Sequence, residues 1–299
     1  MLKKSKVIIV HGKNIINGKG QVNQNKIFLM FAQGLRSITN QENVKNSFKT
    51  IFPDDKRIGI KINTIGGRKI STRPGAAYSL ARLISECDVP KKSIFIWDRT
   101  NRELREAGYR LNRDYKDINV FGTDTKGMGY DLNLISHKNI GSLFSKIQSK
   151  LITSSISFAI LKDHGLAGVT ASMKNYFGSI HNPNKYHDTS CNPFIPELFE
   201  TKYIKNKHKL SILDCLIVQY HRGPSFHSQW AEKTNTIVFG LDPVATDCIG
   251  WKIIENLRAK KGLPSLKEEK REPVYLKTAE KMGLGTTDLD KISIIEKEI

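Results

Sequence analysis

The side chains with the greatest chemical reach in this 299-residue sequence lie between Lys162 and Asp188. An apolar run at 155–161, Ser-Ile-Ser-Phe-Ala-Ile-Leu, stops abruptly at Lys162-Asp163-His164-Gly165, and Lys174-Asn175 follow after a short Gly-containing stretch. Amines and an imidazole at the carboxyl end of a strand suit a small anion, because ligands of open α/β sheets collect at that edge. A helix starting just after it, with Thr170 as the expected cap, would add its free N–H groups to the charges of Lys162 and Lys174. His164, Lys174 and Lys162 are therefore the candidate catalytic residues. The lysines serve as charge partners for a carboxylate or phosphate, and His164 as a proton-transfer or metal group. Asp163 can orient His164 only across a turn, since adjacent side chains of an extended segment point to opposite faces.

Downstream, His181 and His187 sit in a stretch punctuated by Gly, Asn and Pro. Together with His164 they form a candidate metal set of imidazoles, with Asp163 and Asp188 as carboxylates, although the spacing matches no single zinc motif. Each histidine taken singly reads as a turn cap. Lys61 and Asn63 close the second expected strand, and Asp98 and Arg99 the third, which directs both pairs to the same crevice as ligand contacts. An Asp-Arg pair in that position also serves as an ion pair or helix cap. Ser71 and Thr72, with Arg73, could cradle a phosphate, and Asn175 is a further contact; Gly66-Gly67-Arg68-Lys69 lacks the spacing of a nucleotide-binding loop.

Those residues need a scaffold. Short β-branched runs at 6–10, 57–63, 93–97, 119–121, 155–161, 210–218, 236–240 and 291–295 alternate with helical spacings. That alternation predicts an α/β protein with a mostly parallel sheet and flanking helices. Helices are expected through Ile27, Phe31, Leu35 and Ile38, after Pro74 through Leu80 and Ile84, and through Ile140, Phe144, Ile147 and Leu151. A longer one begins at Pro243 with Asp242 as its cap and stops at Gly262. Segments 66–73 and 181–196 read as loops. No repeat or low-complexity linker divides residues 1–299, so a single α/β domain is expected, with 150 as the place for a boundary if it has two lobes.

Composition narrows the function classes. An apolar fraction of 39% with 8% aromatics is that of a globular protein, not a disordered one. The formal charge of +19 would suit nucleic acid or acidic partners, but the lysines are spread along the chain instead of forming one basic arm or face, so a small anionic molecule is the expected partner and nucleic acid is not. No apolar run is long enough to span a bilayer and the start, Met-Leu-Lys-Lys-Ser, carries no apolar leader. A cytoplasmic, non-membrane protein is expected, or an exported one if this start is that of a processed form. Cys87, Cys191, Cys215 and Cys248 lack any Cys-x-x-Cys spacing, which argues for buried free thiols and against an intrinsic iron–sulfur cluster.

Ordered stretches along most of the chain carry a family resemblance. They are Gly59-Ile-Lys-Ile-Asn63, Ser71-Thr-Arg-Pro74, Ile96-Trp-Asp-Arg99 with Ala107-Gly-Tyr109, and Leu161-Lys-Asp-His164 running to Lys174-Asn175. Asp214, Gly223-Pro224 and Asp242-Pro-Val-Ala245 with Asp247 complete the set. In their order and spacing the chain resembles the domain of unknown function 362 family. Some members carry ferredoxin-type cysteines or twin-arginine leaders, and this chain has neither; the resemblance keeps a role beside a redox partner open. One motif is also similar to that of the lactate racemase family, where a histidine precedes a Gly-rich turn and a lysine that holds a nickel-pincer cofactor. His164 and Lys174 stand in that order, with Ser172-Met173 in place of the family's Gly-Gly. That resemblance implies a transition metal near His164 and His187. An isomerase-type or oxidoreductase-type reaction follows from these likenesses as an expectation, with the oligomeric state left open.

Overall fold

The computed structural model describes residues 4–54 and 56–299. Its strands are β1 (Ser5–His11), β2 (Ile58–Ile62), β3 (Ile94–Asp98), β4 (Asn119–Gly122), β5 (Ile135–His137), β6 (Ile140–Ser142), β7 (Ser154–His164), β8 (Gly168–Thr170), β9 (His208–Gln219), β10 (Ala231–Gly240) and β11 (Ile292–Glu298). Nine of them form one sheet in the order β11-β1-β10-β9-β7-β2-β3-β4, with β8 paired to the end of β7. The pairs β11/β1, β9/β7, β7/β2, β2/β3 and β3/β4 are parallel, while β1/β10, β10/β9 and β7/β8 are antiparallel. This is the mixed α/β architecture, mostly parallel, that the alternation of runs predicts. Strands from either side of position 150 interleave, since β1 lies between β11 and β10.

The sheet is a middle layer. In β1 successive residues divide between its two faces: Ile8 and Val10 join one core, Val7 and Ile9 the other. On the first face the helices Gln24–Thr39 and Pro74–Glu86 place Phe31, Leu35, Leu80 and Ile84 against Ile60, Ile96, Phe158 and Phe239. Phe31 meets Phe158 and Phe239 edge-on, at centroid distances of 5.6 and 6.1 Å. The helices Phe194–Glu200, Pro243–Lys260 and Tyr275–Lys281 cover the other face, with Leu198, Ile249 and Leu276 over Leu161, Leu213 and Val238. Covered on both sides, β2, β3 and β7 are buried along their whole length. Asp242 accepts from the Ala245 N–H at 2.9 Å, capping the long helix as expected. All four cysteines are buried and free.

One expected helix is absent. Ile140, Phe144, Ile147 and Leu151 fit a helical period, yet Ile140–Ser142 is a strand, hairpinned to Ile135–His137 through Lys138 at φ 51°, and only Ile147–Leu151 turns, as a single π-helical turn. Gly141 and Ser142 are weak helix formers, and backbone pairing across the hairpin outweighs so slight a preference. No helix among the described residues is long and apolar enough to cross a membrane.

Candidate active site

The carboxyl ends of β2, β3 and β7 lie side by side and open onto one cavity of about 190 Å³. Alternation along β7 decides which side chains reach it. Lys162 and His164 line the cavity. Asp163 points away, where its Oδ1 bonds the Arg271 guanidinium at 2.9 Å and its Oδ2 accepts from Gly223 N at 2.8 Å. It therefore does not orient His164.

The turn after β7 differs from expectation. Thr170 belongs to β8, opposite Lys162 in the register, and caps nothing. The helix Ser172–Asn175 is capped from outside by Asp247: its Oδ1 accepts from Ser172 N at 2.8 Å, and its Oδ2 from Met173 N at 3.0 Å and from the Tyr275 hydroxyl at 3.2 Å. This carboxyl is fully buried, which pushes its pKa up to about 7. The helix N-terminus expected to meet a ligand is thus closed by the protein's own acid.

Lys61, Asp98 and Asn175 form a self-contained hub on the cavity wall. The Lys61 ammonium, 1% exposed, donates to Asp98 Oδ1 at 2.6 Å, to the Ile62 carbonyl at 2.7 Å and to Asn175 Oδ1 at 3.2 Å. Asp98 also accepts from Arg99 N, Thr64 N and Thr64 Oγ1, so its oxygens take four donors in all. The Asn175 amide donates to the Lys61 carbonyl and to Ser157 Oγ. Gly178 presses its backbone against this hub: a Cβ there would stand 2.8 Å from Lys61 Nζ and 3.0 Å from Asp98 Oδ1. Three of the expected ligand contacts are consequently engaged with one another. Asn63 and Arg99 line the cavity too, and the buried Asn63 Oδ1 has no protein partner.

The remaining ionisable groups of the cavity are amines and imidazoles. Lys162 Nζ donates to the carbonyls of Ile65 and Ile70 and faces no carboxylate among the described residues. Burial first, and the Lys174 charge second, lower its pKa to about 7. Lys174 Nζ lies 3.1 Å from His187 Nε2 and 4.6 Å from the centre of the Phe177 ring, and burial lowers it to about 8. His164 Nδ1 accepts from the N–H groups of Leu166 and Ala167, at 3.2 and 3.1 Å. An acceptor Nδ1 requires the proton on Nε2, so His164 offers the cavity a neutral N–H donor. Burial, reinforced by Lys174, holds its pKa down at about 2. His187 donates from Nδ1 to the Pro183 carbonyl at 3.0 Å, which leaves Nε2 as the acceptor for Lys174.

Three expected site residues lie elsewhere. Thr72 Oγ1 accepts from Asn63 N and donates to the Phe158 carbonyl, bracing the strand from behind, and buried Ser71 does not line the cavity. His181 is exposed; its Nδ1 accepts from Leu143 N and the ring packs beside Tyr130. The three histidines therefore do not converge, and no three His, Cys, Asp or Glu side chains gather as a ligand set among the described residues. His164, Lys174 and His187 line the one cavity, but they are not arranged as a ready ligand set for a nickel-pincer group on Lys174. In this arrangement His164 turns its Nε2–H to the cavity and His187 Nε2 is engaged by the Lys174 amine, so neither imidazole presents a lone pair there without a shift of tautomer or of Lys174. Thr64, Phe177, Arg271 and the carbonyls of Ile65 and Ile70 were not foreseen. Thr64 could have been, as the neighbour of a strand-end asparagine; Arg271 lies 108 residues from its partner Asp163 and has no local signature.

The sequence matches the family described as Domain of unknown function (DUF362) over residues 58–252, about two thirds of its length. The chain belongs to this family. The matched span includes the Lys61–Asp98 hub, Lys162, His164, Lys174 and the capping Asp247, which makes the cavity wall a feature of the DUF362 portion of the chain. No match was found among curated protein sequences. Among solved structures, the chain is similar to a structural-genomics protein from Thermotoga maritima, with 10% identity and a TM-score of 0.44 over 81% of this chain and 60% of that one. It is also similar to lactate racemase apoprotein from Thermoanaerobacterium thermosaccharolyticum, with 13% identity and a TM-score of 0.45 over 84% of this chain and 57% of that one. The chain spans less than two thirds of the length of either structure.

Proposed function

We propose that this DUF362 protein is an enzyme that binds a small carboxylate or phosphate in the cavity at the ends of β2, β3 and β7. One observation carries the reading. Of the four cationic side chains lining the cavity, Lys61 is paired with the one lining acid, Asp98, while Arg99, Lys162 and Lys174 have no carboxylate partner there. Lys162 and Lys174 are buried and Arg99 half-buried; buried cations without counter-charge are costly, and an anion entering the cavity offsets that cost. The Nε2–H of His164 supplies a directional donor to an anion, and the unpartnered Asn63 Oδ1 an acceptor for a hydroxyl of the ligand, contacts of the kind that fix a small ligand's orientation.

Catalysis, and not storage alone, is supported by the two amines. Groups whose pKa lies near 7 to 8 can give and take protons at neutral pH, and Lys162 and Lys174 fall in that range. A proton transfer or carbonyl reaction next to the ligand's acidic group is the chemistry they suit.

The test is a thermal-shift panel of small mono- and dicarboxylates and inorganic phosphate, run on the wild-type protein and on Lys174→Met. A ligand at a hundred times its dissociation constant stabilises by about 2.7 kcal/mol, enough for a clear rise in melting temperature. The expected result is such a rise in the wild type for at least one anion and its loss in Lys174→Met. Equal shifts in both proteins, or none with any anion, would count against the reading.

A further inference from the structure

We propose that Lys162 is a carbonyl-reactive amine and that the cavity's ligand is a small 2-oxo carboxylate, held through an imine to Lys162 Nζ. The inference rests on the anion-binding reading and names the substrate class for the same site.

The argument starts from hydrogen-bond valence. A neutral primary amine has two N–H donors and one lone pair, whereas an ammonium has three donors and none. Around Lys162 Nζ the protein supplies two acceptors, the carbonyl oxygens of Ile65 and Ile70, and no carboxylate at hydrogen-bond distance among the described residues. Those two carbonyls take both N–H groups of the neutral form, and the fourth tetrahedral direction is left for the lone pair. Lys162 lines the cavity, so the direction the protein does not occupy is the cavity side. That free direction holds a third N–H for an incoming anion when the amine is protonated and the lone pair when it is neutral, so the neutral form can attack without breaking either contact.

The surroundings agree. The Lys162 side chain is 1% exposed, and the neighbouring Lys174 keeps its own donor contact to His187 Nε2 and its place over the Phe177 ring. Desolvation beside a second cation is one way in which a lysine becomes a nucleophile towards carbonyl carbon. His164, with Nδ1 tied to two backbone N–H groups, turns its Nε2–H to the cavity as a donor for the carbonyl oxygen. Arg99 and Lys174 remain for the ligand's carboxylate.

The step balances within these groups. The Lys162 lone pair forms a C–N bond to the keto carbon as the C=O π pair moves onto oxygen, which takes the proton released from nitrogen. The carbinolamine then loses its hydroxyl group and the remaining N–H proton as water, leaving C=N. Amine plus ketone gives imine plus water, with no oxidant or reductant involved.

Pyruvate and sodium cyanoborohydride, added to the full wild-type chain, would trap the imine as a secondary amine, read by intact mass and located by peptide mapping. Oxalate, a dianion of similar size without a reactive ketone, is titrated calorimetrically against the same preparation. The expected result is a single reduced pyruvyl adduct at Lys162, formed at least roughly tenfold faster than all adducts on surface lysines together, as a depressed amine pKa implies, and suppressed by oxalate. Lys162→Met should retain only the slow surface labelling. Oxalate binding without an adduct at Lys162 would overturn the imine and leave the anion reading standing. Absence of both adduct and oxalate binding would overturn the two together, and a fast adduct at Lys174 instead would overturn the assignment to Lys162.

Discussion

Removing either partner of the Lys61–Asp98 pair should destabilise the fold by different amounts, and the hydrogen bonds fix the order. At a separation of 2.6 Å the pair attracts by roughly 6 kcal/mol for an effective dielectric constant of about 20. Much of that attraction offsets the desolvation of two charges that are 1% and 5% exposed, so the net loss on breaking such a pair is about 3–5 kcal/mol. Lys61→Met leaves Asp98 with three donors, Arg99 N, Thr64 N and Thr64 Oγ1, and should fall at the lower end. Asp98→Ala strands the buried ammonium and also leaves both Thr64 donors and Arg99 N without their acceptor, which puts it at the upper end or beyond. Removing both charges in Lys61→Met/Asp98→Leu should cost clearly less than the sum of the single changes, since no buried ion is then unpaired. Urea denaturation at neutral pH reads all three quantities. The reasoning is refuted if the Lys61 change costs as much as the Asp98 change, or if the two costs simply add in the double variant.

Titration of the two cavity lysines gives a second expectation: binding of oxalate, a fixed dianion, should weaken as pH rises through about 7 and 8 and should take up protons in that window, measured by calorimetry in buffers of different ionisation heat. His164, held neutral, adds nothing there. For the ligand-free protein the sign is opposite. Both lysines have folded pKa values below the ordinary 10.5, the unfolded chain therefore binds more protons between about 7 and 10.5, and their contribution to stability rises with pH across that range, by urea denaturation on the order of a few kcal/mol. His164→Ala should cost about 1–3 kcal/mol in the same assay, because Leu166 N and Ala167 N lose their acceptor; a cost near zero would contradict the tautomer assigned to the ring. Asp247→Asn places an amide where two backbone N–H groups need acceptors, and should weaken oxalate binding through Lys174 while Lys162 labelling by pyruvate persists.

Much of the scaffold was legible because its signals are local. β-branched runs such as Ile58–Ile62 and Ile94–Asp98 are buried on both faces, so their strand character shows in composition alone, and the strand ends then point to Lys61, Asp98 and Lys162 as neighbours. What those side chains do there depends on partners distant in sequence. Lys61 reads as a ligand contact, but Asp98 and Asn175, 37 and 114 residues away, occupy two of its three donors and the Ile62 carbonyl the third. Thr170 looked like a cap until Asp247, 75 residues from Ser172, was found in that role. The hairpin at Ile140–Ser142 was hidden for a related reason: its apolar spacing suits a helix equally well, and only the pairing with Ile135–His137 decides. Periodicity reports which face is buried, while hydrogen-bond partners are settled by the fold.

Isothermal titration of oxalate at pH 6.5 into the wild-type protein and Lys174→Met tests the anion-binding cavity most directly. Both lysines are mainly protonated at that pH. The account predicts saturable one-site binding to the wild type and an affinity at least about tenfold lower in the variant, the loss of one buried charge contact being worth about 1.4 kcal/mol or more. Equal affinity in the two proteins, or no binding to the wild type, would contradict it.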